Sequence, residues 1–175
     1  MTSAQKARLA EIDSLIAQLQ QEKESINPYS NLKSYPNKSF GEGWSEPHIL
    51  ARCPSFLRAD SKGYDFESAG LGRTEVKSCR LPATTVNQCH PQDCDNFLFA
   101  FYDCDECEDY LYLIPSKDFM KFGPSAQHDR TGESCYSMSL STKKRQALLQ
   151  DYKITYEELE LRAANGGYYV QNSSR

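Results

Sequence analysis

The six residues Phe97-Leu98-Phe99-Ala100-Phe101-Tyr102 form an almost unbroken apolar run. A strand with one solvated face alternates apolar and polar residues, so a run like this marks a strand buried on both faces and central to a sheet. Around it the pattern runs from a helix through mixed strands to helices. That order gives an α/β fold, a central mixed β-sheet flanked by helices. A length of 175 residues suits one such domain with a core of its own.

The first 26 residues read as an amphipathic helix. Leu9, Ile12, Ile16, Leu19 and Ile26 recur at three- and four-residue spacing, Lys23 interrupts the stripe, and Asn27-Pro28 ends it. The stripe can pack on the chain's own core or against a second copy, and periodicity does not separate the two. The expected organisation is therefore a helix at 1–27, a candidate dimerisation element, ahead of a single domain at 28–175. Residues 28–46 read as an irregular connection, and Ser45-Glu46-Pro47 as a helix start with Ser45 as N-cap, running to Arg52.

Downstream, Gly63–Glu67 and Arg73–Cys79 read as strands joined by a turn in which Gly70 and Gly72 take positive φ. Ala83–Asp95 is a polar stretch, Asp103–Asp109 an acidic turn, and Tyr110–Ile114 a further strand. Ser116–Phe122 reads as a short helix or turn, 123–134 as a loop, and Tyr136–Leu140 as a short strand. Helices follow over Lys143–Asp151 and Thr155–Ala164, the second N-capped by Thr155, before Gly166-Gly167 breaks the pattern ahead of Tyr168–Val170.

The net charge of −4 is unevenly distributed. Leu81–Ser116 holds seven acidic residues and no Lys or Arg, so the rest of the chain sums to +3. A basic face is available from Lys33, Lys38, Arg58, Lys62, Arg73, Arg80, Lys143, Lys144 and Arg145. The seven cysteines are an odd number and no secretory signal precedes them, so they read as reduced thiols in a cytoplasmic protein. No apolar run approaches the ~20 residues of a membrane span.

Between Lys62 and Arg80 lie the residues with the clearest chemistry. Side chains alternate along a strand, so Glu75 and Lys77 share a face, and the turn brings Asp65 beside them. Two carboxylates, the Val76 carbonyl and one ammonium would then surround a small volume. Hard oxygen donors suit Mg²⁺ or Mn²⁺, which lowers the pKa of a water and offsets charge building on a phosphate. Lys77 would orient or deprotonate that water, the more readily if burial and the metal lower its pKa. Glu46 is a candidate third carboxylate, or simply an acidic residue complementing a helix N-terminus.

Gly63-Tyr64-Asp65, nine residues, then Glu75-Val76-Lys77-Ser78 resembles the active-site motif of the PD-(D/E)XK nuclease superfamily, with Tyr64 where the motif has proline. Chain length, the N-terminal helix and the short Asp-to-Glu interval are most similar to small homodimeric type II restriction endonucleases. The resemblance implies a restriction-endonuclease-like fold and Mg²⁺-dependent cleavage of double-stranded DNA leaving 5′-phosphates. It makes Asp65 and Glu75 metal ligands and Lys77 the catalytic lysine. It also places base-reading side chains at Asn87, Gln88 and His90; Gln can bond adenine bidentately and His can reach a guanine edge. Arg80 and Lys143 are candidates for phosphate contacts.

Cys104-x-x-Cys107 has zinc-ligand spacing. Pairing it with Cys89 and Cys94 fails, because the strand Phe97–Tyr102 would hold the two halves roughly 30 Å apart. Structural zinc then needs Cys135 or a second subunit; otherwise these are turn cysteines. Two other functions stay open on sequence: a structure-specific or repair nuclease such as a junction resolvase, and a non-enzymatic, zinc-stabilised or helix-mediated interaction module.

Overall fold

The computed structural model describes residues 1–59 and 63–165; Lys62 and the expected break at Gly166-Gly167 with Tyr168–Val170 lie outside them. In chain order the elements are α1 (Ser3–Ile26), α2 (Glu46–Arg52), β1 (Leu57–Arg58), β2 (Phe66–Ser68), β3 (Gly72–Arg80), β4 (Thr85–Cys89), β5 (Asn96–Asp103) and β6 (Glu108–Pro115). They continue with α3 (Ser116–Phe119), β7 (Ser125–His128), β8 (Ser134–Ser139), α4 (Lys143–Gln150), β9 (Lys153–Ile154) and α5 (Tyr156–Ala164). The main sheet has the order β1-β2-β3-β5-β6-β9, and β4-β8-β7 make a second, antiparallel sheet. Only the β3–β5 pair of the main sheet is parallel, so the sheet is mixed as the sequence implies.

The apolar run is the middle of β5, and its two faces serve two cores. Leu98, Ala100 and Tyr102 pack with Val76, Leu111 and Leu113 beneath Ile49 of α2 and Leu159 of α5. Phe97, Phe99 and Phe101 pack with Tyr112 and Ile114 against Val86, Met138 and Phe119. The period of two thus sorts neighbouring side chains into separate clusters. Helices α2 and α5 cover one face as expected. The other is covered largely by the second sheet, because the crossover from β3 to β5 carries the strand β4, not a helix.

Several sequence readings change in detail. Ser45 is not an N-cap: it has helical backbone angles and makes no capping bond, since a π-helical turn over Gly41–Ser45 already leads into α2. Its hydroxyl instead bonds the buried Tyr102 hydroxyl at 2.9 Å. Within 28–46, short 3-10 turns over Leu32–Ser34 and Asn37–Ser39 precede that turn, so the segment is more ordered than its lack of period suggests. Polar Ala83–Asp95 contains β4, and the loop 123–134 contains β7; both read as polar because β4 is mostly and β7 wholly exposed. Asp109, from the acidic turn, belongs to β6. Burial pushes its carboxyl up, but hydrogen bonds from His48, Tyr29 and Tyr156 outweigh burial and hold it below the usual range. Thr155 caps α5 as expected, in a capping box with Glu158.

α1 resolves one open alternative. None of its residues is buried, and its apolar stripe stands exposed from 38% at Ile12 to 77% at Ile26. It is not a core helix of this chain. No helix among the described residues is long and apolar enough to cross a membrane.

At the β2–β3 turn, only Gly72 takes positive φ (67°). Gly70 is required for another reason: a Cβ there would lie 1.8 Å from the Arg162 carbonyl oxygen at the end of α5. The Gly70 N–H donates to the Ala163 carbonyl at 2.9 Å, which docks the turn on α5. Gly70→Ala is therefore expected to destabilise the protein by about 2 kcal/mol or more through overpacking against backbone, read as a lower urea midpoint with an unchanged slope.

Candidate active site

β2 is short, and its pairing with β3 ends at Phe66 opposite Thr74. Beyond that point one edge of β3 is free of a neighbouring strand. Asp65 takes the place of one: its N–H donates to the Thr74 carbonyl at 3.1 Å, and its Oδ2 accepts from the Val76 N–H at 2.7 Å. In a strand the N–H and C=O of one residue leave by the same edge, so the Val76 carbonyl also faces Asp65. The sequence places Asp65 and the Val76 carbonyl around one small volume; the bond from the Val76 N–H to Asp65 is an addition from the structure.

Glu75 and Lys77 flank Val76 and project together on the face that carries Phe97 and Phe99, their register partners on β5. Both are largely buried, with 12% and 19% of their side chains exposed. Lys77 Nζ donates directly to Glu75 Oε1. Burial pushes the Glu75 carboxyl up to about 7; Lys77 pulls against that rise, while the charge of Asp65 and a hydrogen bond to it add to it. Burial acts on Lys77 in the opposite sense, but the Glu75 carboxylate outweighs it and the ammonium ends above its ordinary value. The expected lowering of the Lys77 pKa by burial is thus reversed by its partner.

Glu46, on α2, is buried too and is pushed up to about 7, first by burial and then by the charge of Asp65. It comes from the helix-covered side of the sheet, opposite the face that carries Glu75, and its Oε2 accepts from Arg58 at 3.2 Å. Asp65 at the strand edge is the carboxylate between the two.

The donor chemistry suits a hard divalent cation. Burial pushes the carboxyls of Glu46 and Glu75 up to about 7, and the charge of Asp65 adds to both. Among the described residues no group of three or more His, Cys, Asp or Glu side chains is arranged to hold a metal. Mg²⁺ needs no such cage, since one or two carboxylates suffice when waters and a substrate phosphate complete the octahedron. Zinc finds less. Cys104 and Cys107 sit in the β5–β6 turn, whereas Cys135 lies near Cys89 and Cys94, so the trio Cys104, Cys107 and Cys135 is not brought together.

The second sheet closes the site. A cleft of about 150 Å³ is lined by Gly63, Glu75, Lys77, Gln88, His90, Asp93 and Glu133. Gln88 and His90 are therefore brought to the candidate catalytic pair, as the sequence anticipated. A β-bulge between Val86 and Cys89 and a φ of 53° at Gln88 set that side chain's direction; bulges re-aim side chains beside active sites. Asn87 is exposed on the same bulge. The sequence gives no local signal for Asp93 and Glu133, which enter the cleft because β4 pairs with β8 in the second sheet.

The expected phosphate contacts fare differently. Arg80 donates to the Tyr35 carbonyl at 2.7 Å and to the Leu32 carbonyl and Asn37, and its guanidinium covers the Phe40 ring, so it pins the 28–45 segment. Arg145 likewise donates to the carbonyls of Phe122, Ser139 and Gly123. Lys143 is exposed at the start of α4, away from the lining of the cleft. No protein-family model matches the chain, and no curated protein matches it. What the chain does must follow from the residues that meet at this cleft.

Both glutamates have folded-state values above their ordinary 4.5, so the folded protein holds more protons than the unfolded chain between about pH 4.5 and 7. Their contribution to stability therefore falls as the pH rises through that window. Glu75→Gln is expected to flatten this fall, measured as the difference in urea midpoint between about pH 5 and about pH 8 for variant and wild type.

Proposed function

We propose that the chain is a Mg²⁺-dependent, sequence-specific endonuclease of double-stranded DNA, with a restriction-endonuclease-like fold of the PD-(D/E)XK type, acting as a homodimer and leaving 5′-phosphates. One observation carries the reading. Asp65 is bonded to the Val76 N–H at 2.7 Å, and this fixes a carboxylate at the strand edge next to Glu75 and Lys77, which line a cleft together with Gln88 and His90. The parallel β3–β5 pair that supports the motif is consistent with it.

Asp65, Glu75 and the Val76 carbonyl would hold the cation. Mg²⁺ bound there supplies a Lewis acid that acidifies a water and offsets charge on the phosphate. The Val76 N–H keeps Asp65 in one rotamer, so its second oxygen is presented without further ordering. Glu75 holds the Lys77 ammonium through their shared bond and so fixes where it points. Were Glu75 engaged by a cation, its pull on the Lys77 ammonium would weaken, and burial would then favour the neutral amine. Lys77 can thus orient the attacking water as a donor and accept its proton. Gln88 and His90 stand where base edges of a bound duplex would pass.

Cutting both strands of a twofold site needs two active centres, and the exposed stripe of α1 is the proposed contact between copies. An antiparallel pair would set Leu9 of one helix against Leu19 of the other and Ile12 against Ile16, in the a and d positions of a short coiled coil.

Lys77→Ala is expected to cut cleavage of a plasmid of known sequence by about 10³-fold in Mg²⁺ while leaving the circular dichroism spectrum and DNA binding intact. A wild-type protein that leaves every DNA substrate uncut in Mg²⁺ and in Mn²⁺ would sink the proposal. Ile12→Asp with Ile16→Asp is expected to sediment as a monomer, and plasmid cleavage should then stop at nicked circles.

A further inference from the structure

Gln88 and His90 face two cavities. Beyond the cleft of Glu75 and Lys77 they also line a wider groove of about 570 Å³, together with Lys38, Asp129, Arg130 and Thr131. Lys38 stands on the 3-10 turn Asn37–Ser39, and Arg130 at the tip of the β7–β8 hairpin. Segments far apart in sequence therefore form the walls of one channel that begins at the catalytic pair.

The two cations are unlike most others on this chain. Arg58, Arg73, Arg80 and Arg145 are each tied to a carboxylate or to backbone carbonyls. Lys38 and Arg130 are exposed, and among the described residues neither side chain makes a hydrogen bond or an ion pair. Asp129, beside Arg130, does not neutralise it by contact. Its Oδ1 accepts from the Thr131 N–H at 2.8 Å, the Thr131 hydroxyl at 2.7 Å and the Glu133 N–H at 2.9 Å, which closes the hairpin turn. Charge therefore changes sign along the channel. The inner cleft holds Glu75, Asp93 and Glu133 around Lys77, and the outer groove carries two unpaired cations.

That order matches a polyanion threaded past a cation site. An acidic inner end needs a metal before it can approach a phosphate, whereas the outer end attracts phosphates directly. Between the two lies Gln88, held at positive φ by the bulge, a conformation unfavourable for any residue with a Cβ. Strain kept at a residue whose side chain lines both cavities points to use of that side chain.

We infer that the outer groove is the track of the DNA backbone next to the cleaved phosphodiester, with Lys38 and Arg130 gripping phosphates from opposite lips and Gln88 meeting a base edge between them. The inference rests on the nuclease reading for the cleaved bond, but the grip itself is a matter of binding alone. A carboxamide donates and accepts side by side and so fits the adenine edge, while the two cations carry no sequence information.

The experiment measures the dissociation constant of a mixed-sequence duplex by fluorescence anisotropy as a function of salt, in a Lys77→Ala background that holds the duplex uncut, with and without Lys38→Ala and Arg130→Ala. Each phosphate contact contributes about 0.9 to the slope of log affinity against log salt. The double variant should therefore lose about 1.8 from the slope and each single variant about half of that. Both residues are exposed, and an unchanged circular dichroism spectrum confirms that the fold persists. A slope that does not change overturns the groove assignment even if the wild type cuts DNA, and in that case the nuclease reading stands. A slope that falls in a protein that cuts no DNA keeps the groove as a DNA track and removes the nuclease reading. If the duplex does not bind at all, both fall. Gln88→Ala should leave the slope unchanged and relax the choice of cut sites in a wild-type background; a lower slope or an unaltered site preference would remove Gln88 from the proposal.

Discussion

The parallel ladder between β3 and β5 is the constraint on which everything else in this molecule depends. It aligns Thr74 with Asn96 and continues without a break to Arg80 opposite Tyr102. Because β5 is apolar on both faces, the sheet must be covered on both, and two separate cores result. Glu75 and Lys77 lie on β3 directly beside Phe97 and Phe99, so a charged pair is held against an aromatic floor. Their partial burial follows from that placement. The free edge of β3 follows from the shortness of β2, and Asp65 occupies that edge by bonding the Val76 N–H.

Burial and charge are balanced differently at the chain's two buried acidic sites. At Asp109, three hydrogen-bond donors converge on one carboxylate, and the charged form wins despite desolvation. At Glu75 and Glu46, on opposite faces of the sheet, burial disfavours the charged forms up to about 7 and the charge of Asp65 adds to both. The first is a structural joint that ties α2 and α5 to β6 through one oxygen of Asp109, while its other oxygen is buried without a partner among the described residues. The second has no comparable set of donors: Arg58 bonds Glu46 and Lys77 bonds Glu75.

Motif spacing along β3 is legible in the sequence because a strand has a fixed period: residues two apart must share a face, which pairs Glu75 with Lys77. The strand Phe97–Tyr102 and the capped helix α5 are legible for the same kind of reason, a local pattern with a local cause. β4 and β7 are not, because largely exposed strands of polar residues carry no strong period. Glu46 was named as a neighbour of the carboxylates, but its place across the sheet from Glu75 depends on how α2 packs. Arg80 and Lys38 look alike as basic residues in sequence; one is held by the carbonyls of Leu32 and Tyr35, the other is free at a groove.

Local pattern alone encodes the α/β class, the central buried strand, the stripe of α1 and the Asp65–Glu75–Lys77 constellation, since each lies within a short span set by side-chain period or by a turn. Long-range packing sets the rest: that α1 leaves its stripe uncovered, that the crossover forms a second sheet, and that Gln88 and His90 line both the candidate cleft and the groove of Lys38 and Arg130. Those outcomes depend on contacts between residues tens of positions apart, where the cost of closing the chain and the fit of whole faces, not local preference, select the arrangement.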